Sequence, residues 1–326
     1  MHFYQWGSES EVLDKKLIDC AEELAQKEFI VFAGSGIDLR YGMPSWKSLL
    51  ENLYNTAKKE GFTEYIEIEN QETEEYPKVA QKIYDFFKSK GLEKKYYEKI
   101  KEFLTPNEVP YDTKHLEIVK TSNWIITTNF TDFFEKAFKS KLEDKSDINI
   151  NIQSLPEFKH ENCFHTPTIV YLHGKADEQY IIFKENDYKK YYPSVYNNDG
   201  AIYIEDYLKY IYQNYTIVFV GFGFEYSIRE IFVKIYKEIE KSDEIASEKP
   251  GYMPKLNSIK HYCFLKINEN DENEYKKQIE LIKILKSIKI EVIKINEYIE
   301  WIEVFQKIRE LKRANTPTSL EVADEI

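Results

Sequence analysis

The chain has 326 residues, 42% hydrophobic and 31% charged, with a formal net charge of −12. That length buries a large core, as one α/β domain or two smaller ones, and the composition is that of an ordinary globular chain. The acidity excludes the overall basic footprint of a dedicated duplex binder, but not a local anion site made of turn amides or a helix end.

Cys20, Cys163 and Cys263 lie far apart and no C-x-x-C pair exists, so neither a structural zinc site nor a disulfide framework is expected. Three reduced cysteines fit a cytoplasmic protein. No apolar run is long enough to span a membrane, and MHFYQWGSESE lacks the shape of a signal peptide.

Ser8–Glu28 carries Val12, Leu13, Leu17, Ile18, Ala21, Leu24 and Ala25 at helical spacing, with Ser8 or Ser10 as candidate cap. Phe29–Ala33 is a short apolar run that predicts a buried strand. The Gly34-Ser35-Gly36 turn after it lets backbone amides approach a phosphate with no Cβ in the way. Position 39 is Leu39, so the third glycine of the dinucleotide fingerprint is missing and an ordinary dehydrogenase loses ground. Pro44 then opens a predicted helix over Ser45–Lys58, with Trp46 on its apolar face.

From Gly61 to Leu104, QKIYDFFKSK and EKKYYEKIKEFL predict two short helices. They form either a cap over the nucleotide site or a mere spacer. Thr105–Asp112 is a loop and His115–Lys120 a helix, with His115 read as structural. Trp124–Thr128 is a second strand; it ends at Asn129-Phe130-Thr131-Asp132, before a helix over Phe133–Lys139. Ile148–Ile152 is a candidate short strand and Glu157–Pro167 a loop. Thr168–Leu172 is a third buried strand ending at His173-Gly174, and Tyr180–Phe183 reads as extended. Helices follow at Lys184–Tyr192 and Ile202–Asn214. Thr216–Val220 is a fourth strand, ending at Gly221-Phe222-Gly223, with a helix over Ile228–Ile239 and a polar loop over Glu240–Asn257. His261–Ile267 is a fifth strand ending at Asn268, followed by a helix over Glu274–Ser287. Ile288–Ile295 is a sixth strand, and Tyr298–Leu311 a last helix.

Six apolar strands alternating with helices predict an α/β, Rossmann-like parallel sheet with helices on both faces. The expected domain covers residues 1–313, with a helical insertion at about 60–112 and an unpacked acidic tail at 314–326. Ligands of such sheets bind outside the carboxyl ends of the strands. Five of these ends carry Gly34, Asn129, His173, Gly221 and Asn268, which should face one crevice.

Read in order, GSGIDLRYGMPSW, TTNFTDFFEKA, LHGKADE with FKENDY, VFVGFGF and LKIN resemble the sirtuin-like domain, over about residues 9–312. The nearest likeness is to the zinc-less bacterial versions found in anti-phage defence systems. The resemblance implies an NAD hydrolase that cuts the nicotinamide–ribose bond and depletes NAD on infection. It implies a catalytic pair, Asn129 and His173. Asn129 offers an amide suited to a ribose hydroxyl or the attacking water, and His173 a base or hydroxyl activator. It also implies NAD contacts from Gly34, Ser35, Gly36, Ile37, Asp38, Thr128, Asp132, Gly221, Phe222, Gly223 and Asn268, with no metal.

Two departures stand out. Asp38 occupies the place of a sirtuin serine, and the family's aspartate two residues after the asparagine is Thr131, with Asp132 displaced by one. An activity that kills when always on needs restraint. The expected partners are therefore further copies of the chain and a second defence protein, an ATPase or an Argonaute-type protein. Direct nucleic-acid binding and a membrane are not expected. A domain that binds NAD or ADP-ribose without cleaving it is the alternative, and a protein deacylase a third reading.

Overall fold

The computed structural model describes residues 14–38, 43–68, 75–105, 113–141, 149–154, 166–176, 178, 180–200, 202–247 and 259–315. Ser8, Ser10, Leu39, Cys163 and the tail from residue 316 lie outside them.

Helix α1 (Lys15–Ala25) is capped by Asp14, whose side chain accepts from the Lys16 amide. It leads into β1 (Phe29–Ala33) and a single 3-10 turn at Ser35–Ile37. Ser45, not Pro44, caps α2 (Trp46–Lys59) by accepting from the Ser48 amide. Next come α3 (Tyr76–Ser89), α4 (Glu93–Leu104) and α5 (Thr113–Thr121). They are followed by β2 (Trp124–Thr127), α6 (Phe133–Lys141), β3 (Asn151–Ser154) and β4 (Thr168–Tyr171). Helices α7 (Glu185–Tyr191), α8 (Pro193–Tyr196) and α9 (Tyr203–Asn214) precede β5 (Thr216–Val220). The chain continues through α10 (Tyr226–Ser247), β6 (His261–Lys266), α11 (Glu272–Ser287), β7 (Ile290–Ile295) and α12 (Tyr298–Asn315).

Among the described residues the seven strands are all parallel, in the order β3-β4-β2-β1-β5-β6-β7. With edge strand β3 set aside, the six apolar strands follow the doubly wound order, which reverses between β1 and β5. β3 is the seventh strand. It overlaps the expected short strand at 148–152 by only two residues, because its register is fixed by Asn151 pairing with Thr168.

Alternate residues of the strands point to opposite faces, and both faces are covered. Ile30, Phe32, Ile126, Val170 and Phe219 pack under α7 and α9–α11. Phe29, Val31, Ile125, Ile169 and Val218 pack under α1, α5, α6 and α12. Such burial on two sides explains why these strands read as unbroken apolar runs.

Three expectations change. Tyr180–Phe183 is not a ladder strand; it is tied to the sheet by the Ile182 amide donating to the His173 carbonyl at 2.9 Å. Helix α10 runs on to Ser247, consuming the first turns of the expected polar loop, because Ile239 and Asp243 continue its buried stripe. Helix α12 extends past Arg313 to Asn315.

Helices α2–α4 carry a third core of their own, with Leu50, Leu53, Ile83, Phe87, Tyr96 and Ile100 at its centre. Phe133 and Phe183 join it from the sheet domain. This lobe stands over the carboxyl ends of β1, β2 and β4.

Candidate functional site

Between the helical lobe and the strand ends lies a cavity of about 100 Å³. Ser35, Asp38, Thr128, Asn129, Phe130, Thr131, His173 and Glu225 line it from the sheet side. Met43, Pro44, Trp46, Leu49 and Leu104 line it from the lobe. The lobe is therefore a wall of the cavity rather than a spacer. This volume suits a small ring and lies well below the roughly 300–1,000 Å³ of sites that hold a whole drug-sized ligand.

The glycine turn does not work as expected. The Gly34 amide donates to the Val220 carbonyl at 3.0 Å and the Gly36 amide to the Gly221 carbonyl at 2.9 Å. Two of the three amides expected to meet a pyrophosphate are therefore already engaged. The glycines serve the approach of two loops: a Cβ on Gly34 would sit 2.5 Å from the Gly221 oxygen, and Gly221 itself has φ +58°. Turn and crossover are locked together at the point where the strand order reverses.

Asn129 is buried, and its Nδ2 donates to the Gly34 carbonyl at 3.1 Å. Its Oδ1 is also buried and has no hydrogen-bond partner. An orphaned buried acceptor costs about 1–3 kcal/mol, so the loop holds this atom ready for a donor at the expense of stability. Trp46, half-buried on the lobe side, likewise keeps its indole N–H buried and unpartnered. An acceptor and a donor wait in residues lining the same cavity.

The two departures from the sirtuin pattern answer each other. Thr131 Oγ1 donates to Asp38 Oδ2 at 2.8 Å, and His115 Nε2 stands 2.8 Å from Asp38 Oδ1. The carboxylate, supplied here by the first loop instead of the second, ties both loops to α5. Asp38 thus has buried hydrogen-bond partners of its own. His115, read from sequence as structural, is one of them.

His173 follows β4 after the single residue Leu172. Gly174, at φ +83°, turns the chain so sharply that a Cβ there would meet the Tyr180 carbonyl oxygen at 2.1 Å. His173 Nε2 lies 2.8 Å from the Tyr192 hydroxyl and 3.5 Å from Glu225 Oε1. Burial pushes its pKa down to about 3. Glu225 Oε2 accepts from the Tyr188 hydroxyl at 3.2 Å, and desolvation, opposed by that hydrogen bond, pushes its carboxyl up to about 7. At neutral pH the pair is a neutral imidazole beside a carboxyl close to its midpoint.

Of the expected site residues, the cavity brings together Ser35, Asp38, Thr128, Asn129 and His173. It does not include the others. Ile37 is buried in the core, and its carbonyl accepts from Lys114 Nζ. Asp132 is half-exposed and paired with Lys136 at 2.9 Å, leaving Thr131 to face the cavity. Phe222 packs on Phe32, Phe219 and Phe224, while Gly221 holds the first turn and Gly223 has open space about it. Asn268 caps its own loop, donating to Glu274 at 2.6 Å while its amide donates to Gln278.

Glu225 was missed. Its signal was present: it is the one charged residue of GFGFEYS, at the carboxyl end of β5. It directly follows Phe224, whose φ of +48° is uncommon for a residue with a side chain.

Among the described residues no helix is long and apolar enough to cross a membrane. None of the curated proteins compared with the chain matches it. The family model of the SIR2-like domain matches residues 123–293, from the start of β2 into β7, and so takes in Asn129, His173, Glu225 and Asn268. The chain belongs to the SIR2-like domain family, which uses NAD.

Proposed function

We propose that this chain hydrolyses NAD to nicotinamide and ADP-ribose, as the NAD-depleting effector of a cytoplasmic anti-phage defence system. The observation that carries the reading is the orphaned Oδ1 of Asn129, in a residue that lines the same small cavity as His173.

Cleavage builds oxocarbenium-like charge on the ribose as nicotinamide leaves. The site must bury the ring, fix the ribose and admit one water. Trp46, Phe183 and Tyr188 give the cavity aromatic walls, with Trp46 and Tyr188 stacked at 6.1 Å. Asn129 Oδ1 can accept from a ribose hydroxyl or from the attacking water, and its Nδ2 bond to Gly34 keeps it aimed. His173, neutral because it is buried, polarises a hydroxyl without placing a cation beside the positive ring. The pyrophosphate and adenosine extend out of the cavity, over Ser35, the Gly221–Gly223 loop and the end of β6.

Restraint falls to assembly of further copies or to a second defence protein, an ATPase or an Argonaute-type protein. The test is to mix the purified chain with NAD, with and without the product of the adjacent gene, and to separate products chromatographically. Nicotinamide and ADP-ribose in equal amounts support the reading. Tight NAD binding with no product makes the domain a binding module, and deacetylation of an acetyl-lysine peptide makes it a deacylase.

A further inference from the structure

Resting on NAD cleavage as the reaction, we propose that Glu225 is the group that takes the proton released on hydrolysis, received by way of His173. Glu225 and His173 line the cavity together with Asn129, and Glu225 Oε1 is 3.5 Å from His173 Nε2. The Glu225 side chain keeps 20% of its surface exposed. Its second oxygen is held by the Tyr188 hydroxyl, which fixes the carboxylate without a countercharge. Among the described residues, the neutral imidazole of His173 is the one basic side chain within 4 Å of it.

The groups packed around the carboxyl are His173 after β4, Tyr188 on α7, Tyr192 between α7 and α8, and Tyr196 on α8. Asp38 lines the same cavity. Burial pushes the three tyrosines further above their ordinary values, so none of them takes a proton at neutral pH. His173, held near 3, passes a proton on but does not keep it. Glu225, near 7, is the base matched to the medium.

The step balances. A water O–H bond breaks as its oxygen bonds the anomeric carbon, the C–N glycosidic pair goes to the nicotinamide nitrogen, and the water proton ends on Glu225. The ring loses its positive charge and the carboxylate its negative one. Release of that proton to solvent restores the enzyme.

Because Glu225 acts through His173, its test is a pH profile. In the wild-type chain kcat/KM for nicotinamide release falls about tenfold per pH unit below an apparent pKa near 7. Glu225→Gln lowers kcat by about 10²-fold or more and flattens that acid limb, with calorimetric NAD affinity unchanged. Glu225→Asp restores part of the rate together with the limb. A Glu225→Gln enzyme that keeps both rate and limb overturns the proposal. A second readout needs no turnover: the melting temperature of Glu225→Gln minus that of wild type should grow between pH 5 and pH 8. A difference independent of pH shows that this carboxyl does not titrate there, and overturns the proposal. If the wild-type chain releases no nicotinamide at any pH while the melting difference does grow, the NAD-cleaving reading has failed and Glu225 titrates to some other end.

Discussion

Two of the buried histidines, His173 and His261, sit at opposite edges of the sheet. His173 lies just past β4 at the carboxyl edge, and His261 opens β6 at the amino edge. Burial drives both down to about 3. His261 accepts from the Ile217 amide at 3.2 Å, and its ring stacks on Tyr212 at 4.2 Å. Apolar side chains and strand backbone surround it. His173 has the same burial but different company: Tyr192, Glu225 and a cavity shared with an unpartnered carboxamide oxygen. Burial and a displaced pKa do not distinguish the two histidines; the neighbours do, and it is on those neighbours that the proposed hydrolase assigns work to His173 and none to His261.

That contrast can be broken most directly at the site. Asn129→Ala and His173→Ala should each lower NAD turnover by about 10²–10⁴-fold with little loss of folded protein by circular dichroism. Unchanged turnover in either removes that residue from the mechanism. Asp38→Ala strands His115 and Thr131 and should cost about 3 kcal/mol in urea unfolding; a loss below half of that makes the loop lock unimportant. His261→Phe keeps the ring stack but leaves the Ile217 amide without an acceptor. It should cost about 1–2 kcal/mol with kcat unchanged.

Acid sharpens the pair further. Each histidine's folded-state pKa lies below its ordinary value of 6.5. The native state thus favours neutral rings: this stability is complete above pH 6.5 and is lost as pH falls toward 3. His261→Phe should therefore flatten the acid fall of the melting temperature, and an equally steep fall in the variant contradicts the assignment. The smallest effect belongs to Asn268→Ala, which removes an exposed capping bond and should cost below about 1 kcal/mol. A large rise in KM for NAD there would return Asn268 to the nucleotide site.

The sheet was legible because its five inner strands, β4, β2, β1, β5 and β6, are buried on both faces and end in a polar or glycine turn, so period and punctuation agree. The residues at 129 and 173 were legible for the same reason: they are the polar groups that follow such runs. Other features depended on contacts distant in sequence. Gly34 and Gly36 look like a phosphate cradle until Gly221 arrives to take the Gly36 amide. Asp38 looks misplaced until His115, 77 positions later, reaches it. Asn268 closes a strand as Asn129 does, yet Glu274 and Gln278 on the following helix claim its hydrogen bonds. Glu225 escaped notice because four glycine and aromatic neighbours made its loop read as backbone alone.

The most direct test uses NAD carrying a radiolabel in its nicotinamide ring, mixed with the purified chain at equal concentrations so that a single turnover is visible. The account predicts free labelled nicotinamide from the wild-type chain and none from Asn129→Ala at matched occupancy. Label that stays on the dinucleotide with the wild-type chain, whether alone or with its neighbouring gene product, contradicts it.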